Sequence, residues 1–116
     1  MIAQLFASAH CRSMSPASTD QRIPREMYPD RIGARMRLIR EAYGLKPAEI
    51  ADMLGIERTY WSRFEGGRRP INDEVAYLLV ERFNVTLDFL MLGRWETLRL
   101  DVAEKLREAE RSSSAS

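Results

Sequence analysis

Apolar residues recur at helical spacing along most of the chain, and no stretch alternates convincingly with period two. A first helix is predicted from about Asp30 to Tyr43, with Ile32, Met36, Ile39 and Tyr43 at i, i+4, i+7 and i+11. Asp30 is placed to cap its start, and Gly44 suits a left-handed end. A second helix starts at Pro47, where the missing N–H costs no intrahelical bond. Ala48, Ile50, Ala51, Met53 and Leu54 form its expected buried side, and Gly55 ends it. Ile56 leads into a short third helix from about Glu57 to Phe64. After the loop Gly66-Gly67-Arg68-Arg69-Pro70, Asn72 caps a fourth helix, with Asp73 and Glu74 at its positive end. Val75, Ala76, Leu79, Val80 and Phe83 make the core face of that helix, and Asn84 is placed as a left-handed C-cap. Thr86 caps a fifth helix, with Leu87, Phe89 and Leu90 expected inward and Gly93 at its end. A sixth helical stripe, Trp95, Leu98, Val102, Leu106 and Ala109, runs from about Trp95 to Glu110.

The ends differ from this middle. Residues 1–28 show no sustained periodicity, and Ser13 to Asp20 has the composition of a flexible segment, so a flexible N-terminal arm is expected there. Met14 or Met27 could serve as the translational start. Ser112-Ser113-Ser114-Ala115-Ser116 reads as a disordered tail. The expected organisation is an arm over 1–28, a helical domain over 29–93, a C-terminal helix over 94–111 and a tail over 112–116.

A length of 116 residues fits one domain plus tails, and a 45% hydrophobic composition suffices for one core. The single cysteine, Cys11, excludes an intrachain disulfide framework and a Cys-rich zinc site, and a reducing, cytoplasmic setting follows. No apolar run approaches the roughly 18 residues of a bilayer span, and Met1 to Ala7 makes a poor signal peptide. The net charge is only +1, but it is unevenly spread. Residues 31–69 hold nine Lys/Arg against five Asp/Glu, giving +4; residues 70–116 hold six against nine, giving −3. His10 and Cys11 adjoin with no orienting acid and no pocket, so no catalytic constellation is present, and no metal or cofactor is expected.

The stretch Pro47 to Phe64 carries the functional signal: two short helices joined by a turn of about three residues, the spacing of a helix-turn-helix unit. Ala51 is small where the helices cross, Gly55 can take the positive φ of the turn, and Ile56 and Trp61 pin the second helix of the unit onto the first. Residues 31–93 resemble the Cro/lambda-repressor, or Xre-like, family. Glu49-Ile50-Ala51-Asp52-Met53-Leu54-Gly55-Ile56 is similar to the family's E-L-A-x-x-L-G-V core. Ser62-Arg63-Phe64-Glu65-Gly66-Gly67-Arg68-Arg69 resembles its S-R-x-E-x-G-K-R segment, and Phe83-Asn84-Val85-Thr86-Leu87-Asp88-Phe89-Leu90 its L-G-V-S-L-D-x-L ending. The fold implied is all-α: a five-helix lambda-repressor-like DNA-binding domain with an extra C-terminal helix and flexible termini.

The resemblance implies that the third helix enters the major groove. Base contacts are then expected from Arg58, Thr59 and Arg63, with arginine suited to bidentate recognition of guanine. Backbone contacts are expected from Arg68 and Arg69 on the following loop, from Tyr60 and Ser62, and from Lys46, which stands beside Pro47 where the family often has glutamine. Arg35 and Arg37 are further candidates for the backbone. Arg40 and Glu65 are expected to form the family's structural ion pair. The chain departs from the family at Glu57, where Ser or Thr is the usual cap, at Gly66 for asparagine, at Trp61 for a smaller aliphatic residue and at Asp73 for an apolar one.

The function implied is a bacterial or phage-type transcriptional regulator binding double-stranded DNA, a repressor acting as a homodimer through helix five, the C-terminal helix or both, and nucleoid-associated when bound. The rival expectations are an antitoxin of the same fold, with a protein partner, and a protein-interaction module that does not bind DNA. Lys105 interrupts a strict heptad, which speaks against a coiled coil, and the C-terminal helix is expected either to cover its own domain or to pack on its mate in a dimer.

Overall fold

The computed structural model describes residues 22–115, and these are all-helical. The expectations placed on Met1–Ala7, His10, Cys11, Met14 and the segment 13–20, and on Ser116, lie outside the described residues. A 3-10 turn at Arg25–Met27 precedes α1 (Pro29–Ala42), α2 (Pro47–Leu54), α3 (Arg58–Glu65), α4 (Asp73–Phe83) and α5 (Leu87–Leu92). A second 3-10 turn at Trp95–Thr97 leads into α6 (Leu100–Ala115). Among the described residues no helix is long and apolar enough to cross a membrane.

Helix α1 is the hub, packing against α3, α5, α6 and the first 3-10 turn. Its stripe Ile32, Met36 and Ile39 is buried, and it meets Ile50, Ala51 and Leu54 of α2, Trp61 and Phe64 of α3, and Val75, Leu79 and Phe83 of α4 in one core. Phe89 and Leu90 of α5 close one side, and Val102 and Leu106 of α6 close another. Helix α6 therefore covers its own domain. Its docking is reinforced by cations over rings: Lys105 Nζ lies 5.0 Å from the Tyr43 centroid and the Arg107 guanidinium 4.1 Å from that of Trp95.

Local chemistry explains most boundaries. Asn72 Oδ1 accepts from Val75 N–H at 2.9 Å and Thr86 Oγ1 from Phe89 N–H at 3.0 Å, each satisfying a donor that the first helical turn leaves over. Asn84 closes α4 in the left-handed conformation, with φ 57°.

Several expectations require correction. Asp30 is not the cap of α1: the helix begins at Pro29 with Tyr28 as N-cap. The ring of Pro29 fixes a helical φ one residue earlier, and Asp30 becomes a first-turn residue. Met53 is 40% exposed because it lies about 100° around the helix from the centre of the Ile50–Ala51–Leu54 face. Leu87 is 53% exposed for the same reason: two residues, about 200° of rotation, separate it from Phe89. The Trp95–Glu110 stripe is not one helix. Thr97 Oγ1 donates to Arg94 O at 2.8 Å and lies 2.6 Å from Thr86 Oγ1, which ties the 3-10 turn to the cap of α5. Leu98 then turns extended before α6 starts. Helix α6 also runs through Ala115, into the stretch expected as a tail. At the other end, residues 25–28 do not belong to a loose arm but are bound to the domain through Glu26.

Candidate nucleic-acid interface

The unit α2–turn–α3 depends on Gly55, whose φ of 71° suits a residue without Cβ and lets Ile56 N–H reach back to Ala51 O at 2.8 Å. Only half of a capping box starts α2: Glu49 Oε1 accepts from Lys46 N–H at 2.7 Å, and the Lys46 ammonium, which has no lone pair, stays exposed. In α3, Trp61, Phe64 and Glu65 face inward. Thr59 and Arg63 lie roughly opposite that face, with Ser62, Arg58 and Tyr60 flanking them, and all five are exposed.

One buried carboxylate sets the position of α3. Glu65 is 9% exposed. Its Oε1 accepts from Arg40 Nε at 3.0 Å and Arg40 Nη2 at 2.7 Å, and its Oε2 from the Trp61 indole at 2.8 Å. Arg37 Nε stands 3.5 Å from the same Oε1. The bulky Trp61 thus brings a donor that helps satisfy the charge. Arg40 Nη1 also donates to Leu45 O at 3.0 Å, so one guanidinium ties α1, the α1–α2 loop and α3 together. Buried ions persist only with such full pairing.

The loop after α3 is equally fixed. Arg68 N–H and Arg69 N–H both point to Arg63 O, at 2.9 and 3.3 Å. Gly67 has φ 75°, and a Cβ there would lie 2.8 Å from the Asp30 Cα, so the loop presses against the start of α1 as only glycine allows. Arg68 and Arg69 emerge exposed beside α3, and the Arg69 guanidinium sits 5.0 Å from the Tyr60 ring centroid. Glu57 serves as N-cap of α3 without a side-chain cap bond.

Two arginines have partners that were not expected. Arg35 is no candidate for the DNA backbone, being 9% exposed. Its Nε donates to Leu90 O at 2.8 Å, Nη1 to Glu26 Oε1 at 3.0 Å, and Nη2 to Met91 O at 3.3 Å and to Glu26 O. Burial lowers its pKa, with Glu26 opposing. Arg58 is exposed but engaged: Nε donates to Asp52 Oδ1 at 3.2 Å and Nη2 to Asp52 Oδ2 at 2.7 Å. The hydrogen bond from Arg58 holds the Asp52 carboxyl below the usual range and raises Arg58 in turn. Sequence reasoning missed Asp52 as a partner, and its only signal is the i, i+6 spacing across a Gly turn. Among the described residues Lys46, Arg63 and Arg68 make no ion pair. Arg58, Thr59, Ser62, Arg63, Arg68 and Arg69 are thus all exposed on or just after α3, whereas Lys46 stands at the start of α2.

Comparison with known proteins agrees with this architecture. A segment is 40% identical over 55 residues to a Pyrococcus furiosus protein provisionally named as an HTH-type transcriptional regulatory protein, covering 47% of this chain and 18% of that protein. Another is 35% identical over 57 residues to the HTH-type transcriptional regulator PrpR of Mycobacterium tuberculosis, covering 49% of this chain and 12% of PrpR. The chain therefore corresponds to less than a fifth of either relative. No solved structure matches significantly. The model of the helix-turn-helix domain family matches residues 31–88, half of the chain. With α2, the Gly55 turn and α3 inside that match, the chain belongs to the helix-turn-helix domain family.

Proposed function

We propose that the chain is a transcriptional regulator that binds duplex DNA by laying α3 in the major groove. The observation that carries this reading is the outward face of α3, where Arg58, Thr59 and Arg63 are exposed on a helix held rigid by the buried Glu65. Arg58 and Arg63 read bases, with Thr59 beside them. Lys46, Tyr60, Ser62, Arg68 and Arg69 contact phosphates and fix the register without reading sequence. The names of the two relatives, both HTH-type regulators, point the same way.

The action we propose is repression, since occupancy of a promoter is enough to block polymerase. A homodimer follows from the need to read two half-sites. An exposed apolar patch favours it: Tyr77 of α4 and Leu87 at the start of α5, 61% and 53% exposed, line a cleft with Ala76 and Val80 of α4. The working site of such a protein is the cytoplasm, on the nucleoid.

Fluorescence anisotropy on the DNA upstream of its own gene, against scrambled DNA over a salt series, tests the reading. Preference for the upstream DNA, a steep negative salt slope and loss of preference in Arg58→Ala/Arg63→Ala are expected. No binding to either DNA at low salt would sink it. Sedimentation velocity of Leu87→Asp tests the dimer: a shift to monomer supports the patch, and an unchanged species removes it.

A further inference from the structure

Asp52 and Arg58 span the turn of the helix-turn-helix unit, one in the last turn of α2 and the other at the first position of α3. The carboxylate grips the guanidinium from the side, one oxygen on Nε–H and the other on Nη2–H. A guanidinium carries five N–H donors in one plane. The side-on grip uses the Nε–H and the Nη2–H next to it. The remaining pair at the tip of the group, one N–H on each Nη, points away from Asp52. That pair has the spacing to meet O6 and N7 of a guanine together. Holding a long side chain in one place before DNA arrives lowers the ordering cost of the contact.

We propose that Asp52 is the positioning residue of Arg58, clamping its guanidinium side-on so that the tip reads one guanine in the major groove. This rests on the role given to Arg58 above. The carboxylate also places a negative charge beside the groove. Asp52 therefore lowers affinity for DNA in general while sharpening the choice at one base pair.

The test is selection from a library of randomised duplexes with the full chain, comparing wild type, Asp52→Asn, Asp52→Glu and Arg58→Ala. The wild type should enrich a motif with a guanine whose preference is lost in Arg58→Ala. Asp52→Asn should lower that same preference by about tenfold, leave the other positions intact and bind non-specific DNA more tightly. Asp52→Glu, which keeps the fork, should restore part of the preference. Asp52 is exposed and its side chain bonds only Arg58 among the described residues, so the fold should survive, as a thermal melt checks. An Asp52→Asn protein that keeps the guanine preference and merely binds more tightly overturns the clamp and leaves Arg58 as the reader. Unchanged preferences in Arg58→Ala, or no enriched motif with wild type, remove the reading of Arg58 and the clamp with it. Without DNA, the Arg58 side-chain Nε–H resonance should be protected in wild type and solvent-like in Asp52→Asn; a solvent-like signal in wild type also overturns the clamp.

Discussion

Gly33 presses its bare Cα against the backbone of Glu65. A Cβ built there would collide with the Glu65 carbonyl oxygen and lie 2.6 Å from that of Phe64. Helix α1 can therefore cross the end of α3 at backbone distance, and this approach brings Arg37 and Arg40, one and two turns on, within reach of the Glu65 side chain.

Gly33→Ala should be destabilising even though alanine is the better helix former. Propensity returns about 1 kcal/mol, but overpacking against two backbone oxygens costs up to about 3 kcal/mol. A net loss on the order of 1–2 kcal/mol is expected from urea unfolding, as a lower midpoint with an unchanged slope. A neutral or stabilising result would mean that α1 and α3 part easily.

Arg40→Ala should cost on the order of 3–5 kcal/mol, because the buried Glu65 carboxylate would keep only the Trp61 indole and the more distant Arg37. Pairing Arg40→Met with Glu65→Leu removes both charges and should recover much of the loss. A double mutant as unstable as the sum of the single ones would show that the packing, not the unpaired charge, set the cost.

Glu26 binds the Arg35 guanidinium, which in turn bonds the carbonyls of Leu90 and Met91 in the last turn of α5. Chains beginning at Arg22 and at Met27 should accordingly differ in stability. The shorter one leaves Arg35 without its acid, and a melting temperature lower by several degrees is expected, for a loss of about 1–3 kcal/mol. Equal melting curves would show that the turn at Arg25–Met27 is dispensable.

The Tyr43 hydroxyl donates to Phe83 O at 3.1 Å, supplying a partner for a carbonyl at the end of α4. Burial raises the Tyr43 pKa above its ordinary value of 10.0, and Asp101 adds to the rise. The folded protein thus holds this proton more tightly than the unfolded chain. Its contribution is complete below the unfolded pKa and is lost as pH climbs through the folded one. Stability should fall above about pH 10 more steeply in wild type than in Tyr43→Phe, which pays a constant cost of about 1 kcal/mol instead. Parallel pH profiles for the two proteins would refute this.

The helices were legible in the sequence because their causes are local. The spacing of Ile32, Met36 and Ile39, the caps Asn72 and Thr86, and the left-handed Asn84 all act within three or four residues. An apolar stripe alone does not fix burial or helix length: Met53 and Leu87 are apolar but lie off the inward face, and the Trp95 stripe is cut by the hydroxyl chain from Thr86 through Thr97 to the Arg94 carbonyl.

By itself the sequence determined the helical order, the two-helix unit around Gly55 and the exposed side of α3, since periodicity and turn chemistry are written in neighbouring residues. The tertiary structure alone decided the fates of Arg35 and Arg58, whereas the pairing of Arg40 with Glu65 was already expected from the family resemblance. An arginine side chain is long enough to reach solvent or a buried acid from the same backbone position, so its partner depends on what packs nearby. Arg35 meets a carbonyl 55 residues away, Arg40 a carboxylate 25 away, and Arg58 the aspartate across the turn. Basic residues that look alike along the chain thereby become an internal brace, a lock between helices and a surface group held by its neighbour.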